Sequence, residues 1–180
     1  NKVMASCINK LNKAIMFGCA GGATGLAELL LVNLSDVQSI TITNNEVTAL
    51  TLVANAKAVP VDCYKNSVKM IDAIRQLDGA TGLEQSVTVT VYDKTVDGAN
   101  IIEALLNGKF IAFGKLRELG AIKVAGASAG LESSASDSDT SSNGGFMTIT
   151  LKTPDGSKGD SPTVCSSSVW SYLVANKLNV

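Results

Sequence analysis

From residue 37 onward, apolar and polar positions alternate with a period of two over much of the chain, the spacing of strands with one buried face. Ile40-Thr41-Ile42-Thr43 and Val47-Thr48-Ala49-Leu50-Thr51-Leu52 flank Asn44-Asn45, which predicts a hairpin. Ala58–Tyr64 reads as a short extended run, and Pro60 confines it to a sheet edge or a strand start because proline cannot donate to a ladder. Ser86–Tyr92 is the clearest strand, with Val87, Val89 and Val91 on one face and Thr88, Thr90 and Tyr92 on the other. Phe110–Phe113, Ala121–Ala125 and Met147–Leu151 are predicted as further strands.

A period near 3.6 replaces this pattern once without ambiguity. Asn100 can cap a helix with Glu103 three residues on, Ile101, Ile102, Leu105 and Leu106 form its apolar face, and Asn107-Gly108 ends it in a left-handed turn. Two segments fit both periods. In Ser67–Leu77 the residues Val68, Ile71, Ile74 and Leu77 make a helical stripe, while Val68, Met70 and Ile74 fit a strand. In Cys165–Leu178 the residues Val169, Trp170, Leu173 and Val174 share a helical face, but the serines among them suit a strand equally. Ser128–Gly145 is rich in serine and carries Glu132, Asp137 and Asp139 with no base, so residues 127–145 are expected to form a polar loop.

Before residue 37 the pattern differs. Lys2, Lys10 and Lys13 precede Ala14–Val32, an apolar stretch long enough for a membrane span and interrupted by Gly18, Gly21, Gly22 and Gly25. Glu28 would cost about 2.5–3.5 kcal/mol at mid-membrane, so no span is expected. Residues 1–36 are read as a glycine-rich arm that docks on the fold or on a neighbouring subunit, and residues 37–180 as the folded domain. The glycines fit neither a phosphate loop nor a dinucleotide fingerprint, because no Gly-Lys-Ser/Thr follows and no two of them stand two apart.

Composition narrows the chemistry. The 180 residues carry a net charge of -1 and no histidine. The absence of histidine excludes Ser-His and Cys-His pairs and His-ligated metals. With Arg75 and Arg117 as its arginines and no basic excess, the chain is not expected to grip nucleic acid. No two cysteines form Cys-x-x-Cys, so Cys7, Cys19, Cys63 and Cys165 read as small buried hydrophobes. Asp137-Ser138-Asp139 begins like a calcium loop, but Ser142 and Thr148 stand where Gly and Glu are needed. Asn33-Leu34-Ser35 is a glycosylation triplet of the kind that arises by chance. No cofactor, metal or catalytic constellation is expected, and an enzyme is the weakest reading.

The order of elements carries a resemblance. A hairpin and the Val87–Tyr92 strand precede the Asn100–Asn107 helix. Then come Gly108-Lys109-Phe110-Ile111-Ala112-Phe113-Gly114, Gly120–Gly126, Ala129-Gly130-Leu131-Glu132, a Ser/Asp/Thr-rich loop and Gly144–Leu151. Over about residues 37–155 this resembles the tail tube proteins of tailed bacteriophages and related injection machines. The resemblance implies a mainly β fold: a two-sheet β-sandwich or barrel with one flanking helix. It implies six copies joined edge to edge in a ring, with rings stacking into a virion tail tube after assembly in the host cytoplasm. The partners it implies are the chain itself, other tail proteins, and genomic DNA passing through the lumen without specific binding. The glycine-rich residues 1–36 depart from the family's usual pattern. Another tail ring protein, a terminator or baseplate component, would share the fold. A secreted or surface β-sandwich binding module is the alternative from a different class, and it predicts disulfides among the four cysteines. Uneven charge adds one expectation about contacts: Lys2, Lys10 and Lys13 of one subunit are expected to meet Glu132, Asp137 and Asp139 of the next.

Overall fold

A computed structural model describes residues 25–179 apart from Asp78, Glu118, Leu119 and Asn143, with Lys65 and Ala80 described by their backbone. The strands are β1 (Leu26–Asn33), β2 (Val37–Thr43), β3 (Glu46–Leu52), β4 (Val59–Val61), β5 (Lys69–Leu77) and β6 (Ala80–Val91), followed by helix α1 (Val96–Asn107). After it come β7 (Phe110–Leu116), β8 (Ile122–Ala125), β9 (Glu132–Asp137), β10 (Met147–Lys152), β11 (Thr163–Cys165) and helix α2 (Ser167–Ala175).

Two sheets result. The larger has seven strands in the order β2-β3-β11-β8-β7-β1-β4, and the smaller has four in the order β5-β6-β10-β9. The fold is therefore mainly β with two packed sheets, as expected. The large sheet is apolar on both faces, which is why β1 and β7 read as continuous runs, Leu29–Val32 and Phe110–Phe113. On one face Leu30, Val32, Ile111 and Phe113 pack with Val169, Trp170 and Leu173 of α2. On the other, Leu29, Leu31, Phe110 and Ala112 pack with Val87, Val89, Ile149 and Leu151 of the small sheet, and Leu105 of α1 joins them.

The Asn44-Asn45 hairpin forms as expected, with φ of 51° and 64°, the paired positive values of a type I′ turn. Pro60 lies in β4, the short edge strand of the large sheet. Both ambiguous segments resolve. Ser67–Leu77 supplies β5, which pairs with β6 along its whole length from Lys69↔Thr88 to Leu77↔Ala80. Cys165–Leu178 supplies the end of β11 and then α2, with the Ser166 hydroxyl accepting the Val169 N–H at 3.3 Å as the N-cap.

Three expectations are corrected. The arm of residues 1–36 does not extend to residue 36: Leu26–Asn33 is an interior strand between β7 and β4, because its apolar side chains fill both cores. The residues 127–145 loop contains β9, since Glu132–Asp137 completes the ladder of β10 despite its polar composition. The first helix begins at Val96 after Thr95, not at Asn100, and it ends at Gly108 with φ -91°, not left-handed. Glycine is required at 108 because a Cβ would strike the Phe110 ring and the Ala104 carbonyl. With the last segment resolved as helix α2, the layers run α2, large sheet, small sheet, with α1 closing one end of the sandwich.

Candidate assembly interface

The small sheet shows the least conventional surface of the described residues. In β5 the apolar residues recur every third position, so they cannot all face one side of a strand. Cross-strand partners share a face, which sets Ile71, opposite Ser86, on the outer side and Ile74, opposite Leu83, on the side of the large sheet. Both are exposed, Ile71 at 52% and Ile74 at 76%, and Leu77 is exposed as well. β5 is nine residues long, lies at the sheet margin and, among the described residues, has no strand on its outer side. Unpaired N–H and C=O groups flanked by apolar side chains form a template for strand addition.

The direction of β5 follows from what it touches. Met70 lies against Gly114 of β7, while Asp72 pairs with Lys123 of β8 at 2.7 Å. Gly114 and Lys123 are register partners, so β5 runs across the strands of the large sheet and not along them. The next residue on that face, Ile74, is carried onward toward β11, whose Val164 sits opposite Lys123 and is 49% exposed.

Arg75 anchors this hairpin. It is 8% exposed; Nη2 donates to Glu84 at 2.7 Å and Nη1 to the Pro154 carbonyl at 2.7 Å. Further bonds reach the carbonyls of Thr153 and Ser157. One guanidinium therefore ties the β10–β11 connection to the β5–β6 ribbon. Gln85 does the same toward the large sheet: its amide donates to the Val124 carbonyl at 3.3 Å and accepts the Gly126 N–H at 3.0 Å. These bonds tie the ribbon to the β10–β11 connection and to the large sheet, while no described strand covers its outer edge.

The middle of the small sheet's outer face carries hydroxyls, with Lys69, Ile71 and Lys152 beside them. Thr88 and Thr150 share a hydrogen bond of 3.2 Å, and Thr90 and Thr148 one of 3.4 Å. The opposite margin, β9, differs chemically from β5: it has small residues, Glu132 and Asp137, and no base. Lys69, Arg75 and Asp72 give β5 a positive balance.

The expected contact residues fall as follows. Glu132 opens β9 and lies 3.8 Å from Lys109. Asp137 ends β9 opposite Thr148. Asp139 lies in the following turn, where the Ser141 hydroxyl and N–H hold its carboxyl down at about 2. The structure thus gathers all three acids on the β9 side of the molecule. Lys2, Lys10 and Lys13 lie outside the described residues.

Beside them is a cleft of about 300 Å³ between the start of α1 and the β9–β10 connection, with Val91, Ile102 and Met147 among its lining. Lys94 stands at its rim, 4.6 Å from the Phe146 ring centroid and donating to the Gly144 carbonyl. Asp93 is held below its ordinary value by the Thr95 hydroxyl and N–H.

Among the described residues no three His, Cys, Asp or Glu side chains gather as metal ligands, and no helix is long and apolar enough to cross a membrane. Cys63 and Cys165 are free thiols. Sequence reasoning missed the exposed edge because the three-residue spacing of Ile71, Ile74 and Leu77 imitates a helix. The signal that identifies it is the turn at Gly79, which returns the chain directly into Ala80–Val91. Compared with family models, curated proteins and solved structures, the chain matches none.

Proposed function

We propose that this chain is a structural subunit that joins its own copies edge to edge in a ring, and that such rings stack into a virion tail tube conducting DNA. The observation that carries the proposal is the pair of margins on the four-stranded sheet, β5 and β9, that no described strand covers. Every neighbouring pair in it is antiparallel, so β5 and β9 point in opposite directions. A rotation that preserves strand direction therefore sets β9 of one copy antiparallel to β5 of the next, in the hydrogen-bonding sense a ladder needs. Such a heterologous contact closes into a ring when the rotation divides the circle. The charges agree, with acids on β9 and a positive balance on β5.

In that ring the outer face of the small sheet lines the lumen. Its middle presents the hydroxyls of Ser86, Thr88, Thr90, Thr148 and Thr150, with Lys69 opposite Thr88 and Lys152 opposite Ser86 on the same face. Phosphate binding depends chiefly on Lys and Arg; Lys152 is paired with Asp155 at 3.1 Å, so Lys69 is the main cation this stretch offers and DNA is held weakly. The order of elements that resembles tail tube proteins supports the same reading. Sedimentation over a concentration series, with electron microscopy of the heaviest species, tests it. Closed rings or stacked tubes are expected, and a protein that stays monomeric at every concentration would sink the proposal.

A further inference from the structure

The cleft beside α1 lacks an occupant within the described residues, and the chain itself offers one. Its floor is aliphatic, from Val91, Ile102 and Met147, while Asp93, Asp97, Asp137 and Asp139 stand on the surrounding elements with Lys94 as the base among them. Residues 1–24 have the complementary character. They carry Lys2, Lys10 and Lys13, no acid, and the apolar run Ile15-Met16-Phe17.

Position favours the same pairing. Residue 25 enters the fold on the β5 side. Its carbonyl accepts the Arg117 N–H at 3.4 Å, and it packs against Asn66, which leads into β5. The cleft lies on the α1 and β9 side of the same molecule. In a ring built by β5–β9 pairing, the point where residue 24 joins one copy faces the cleft margin of its neighbour. A chain of 24 residues spans up to about 80 Å when extended, so the reach is ample.

We infer that residues 1–24 of one copy dock in the α1/β9 cleft of the adjacent copy, with Ile15–Phe17 on Val91, Ile102 and Met147 and Lys10 and Lys13 against Asp137 and Asp139. This inference rests on the ring reading. It names the segment that straps each ring joint from outside the sheet, adding apolar burial and charge pairing to the backbone ladder. It also makes the joint sensitive to salt, because exposed ion pairs are screened beyond about 8–10 Å at ordinary ionic strength.

The test uses the full chain and its own cysteines. Cys7 and Cys19 lie within the docking segment, and Ser138 stands at the cleft with an exposed side chain. A Ser138→Cys variant treated with a short bismaleimide is expected to give covalent ladders between copies, lost when Cys7 and Cys19 are changed to Ser. A second variant, Lys10→Glu with Lys13→Glu, is expected to cut cross-linking at least tenfold, with recovery when Asp137→Lys and Asp139→Lys are added. Cross-links confined within single chains, or a yield unchanged by charge reversal, would overturn the docking. Intact rings without Ser138→Cys cross-links would overturn it while leaving the ring reading standing. A monomer at every concentration would overturn both.

Discussion

Replacing Ile74 with lysine tests the edge directly. Ile74 is 76% exposed on an unpaired strand margin, so in the isolated subunit its side chain makes few contacts to lose. Burying a whole isoleucine side chain is worth about 1.5–3 kcal/mol, and covering three quarters of it gives about 1–2 kcal/mol per joint. That corresponds to a five- to thirtyfold change in the association constant of one joint. An edge lysine adds the cost of desolvating a charge, and inward charges are a common natural device against edge pairing. Fold stability should move by no more than about 0.5 kcal/mol, because the substitution is at the surface. The assay is sedimentation velocity at matched concentrations of wild type, Ile74→Lys and the conservative Ile74→Val, with thermal melting of each. Loss of the assembled species in Ile74→Lys alone, at unchanged Tm, is the expected result. Equal assembly in all three proteins would refute the reasoning, and a fall in Tm of more than a few degrees would show that Ile74 supports the subunit itself.

Three further outcomes are expected. Arg75→Met removes donors from Glu84 and from the Thr153, Pro154 and Ser157 carbonyls, and should destabilise the subunit by about 2–4 kcal/mol in urea unfolding, discounted because Glu84 is partly solvated. The Asp139 carboxyl should titrate at about 2 by carbon NMR, and Ser141→Ala should raise it toward 3.8. Its folded value is depressed, so the turn's stabilisation is present above pH 4 and is lost as pH falls toward 2. Burial pushes the Cys165 thiol up to about 12, so at pH 8 Cys165 should resist iodoacetamide in the native protein and react only in denaturant, read by mass spectrometry.

Where sequence and structure agree, the reason is local. The Asn44-Asn45 turn, the Val87–Val91 alternation and the Met147–Leu151 alternation are each set by residues adjacent in the chain, and each strand appears where its pattern predicts. Where they part, the deciding contact is remote. Leu29–Val32 read as part of an arm because a strand buried on both faces loses its alternation. β9 read as loop because its backbone is ordered by β10 and not by its own side chains. Helix α1 starts early because Asp93 accepts the Thr95 N–H at 2.8 Å and Gly98 fits where a Cβ would meet the Asp93 carbonyl. The acids Glu132, Asp137 and Asp139 share the β9 side of the molecule because five residues of chain carry the first to the second and the following turn holds the third. The exposed β5 edge was not legible in the sequence, because exposure of isoleucine is a property of sheet order, which no single strand specifies.

The interior placement of β1 has a consequence for synthesis. Leu30 stands opposite Phe113, and its neighbours Leu29–Val32 are among the most deeply buried residues of the fold. During translation these four side chains emerge first and must wait for β7, some eighty residues later, which at about 5–20 residues per second takes roughly 4–16 s. β3 waits longer for its parallel partner, since Val164 pairs with Glu46. For those seconds the nascent chain can cover β1 only along the three-residue margin that β4 supplies, so slower elongation is expected to lengthen the time its apolar faces stay open to chaperones or to other chains.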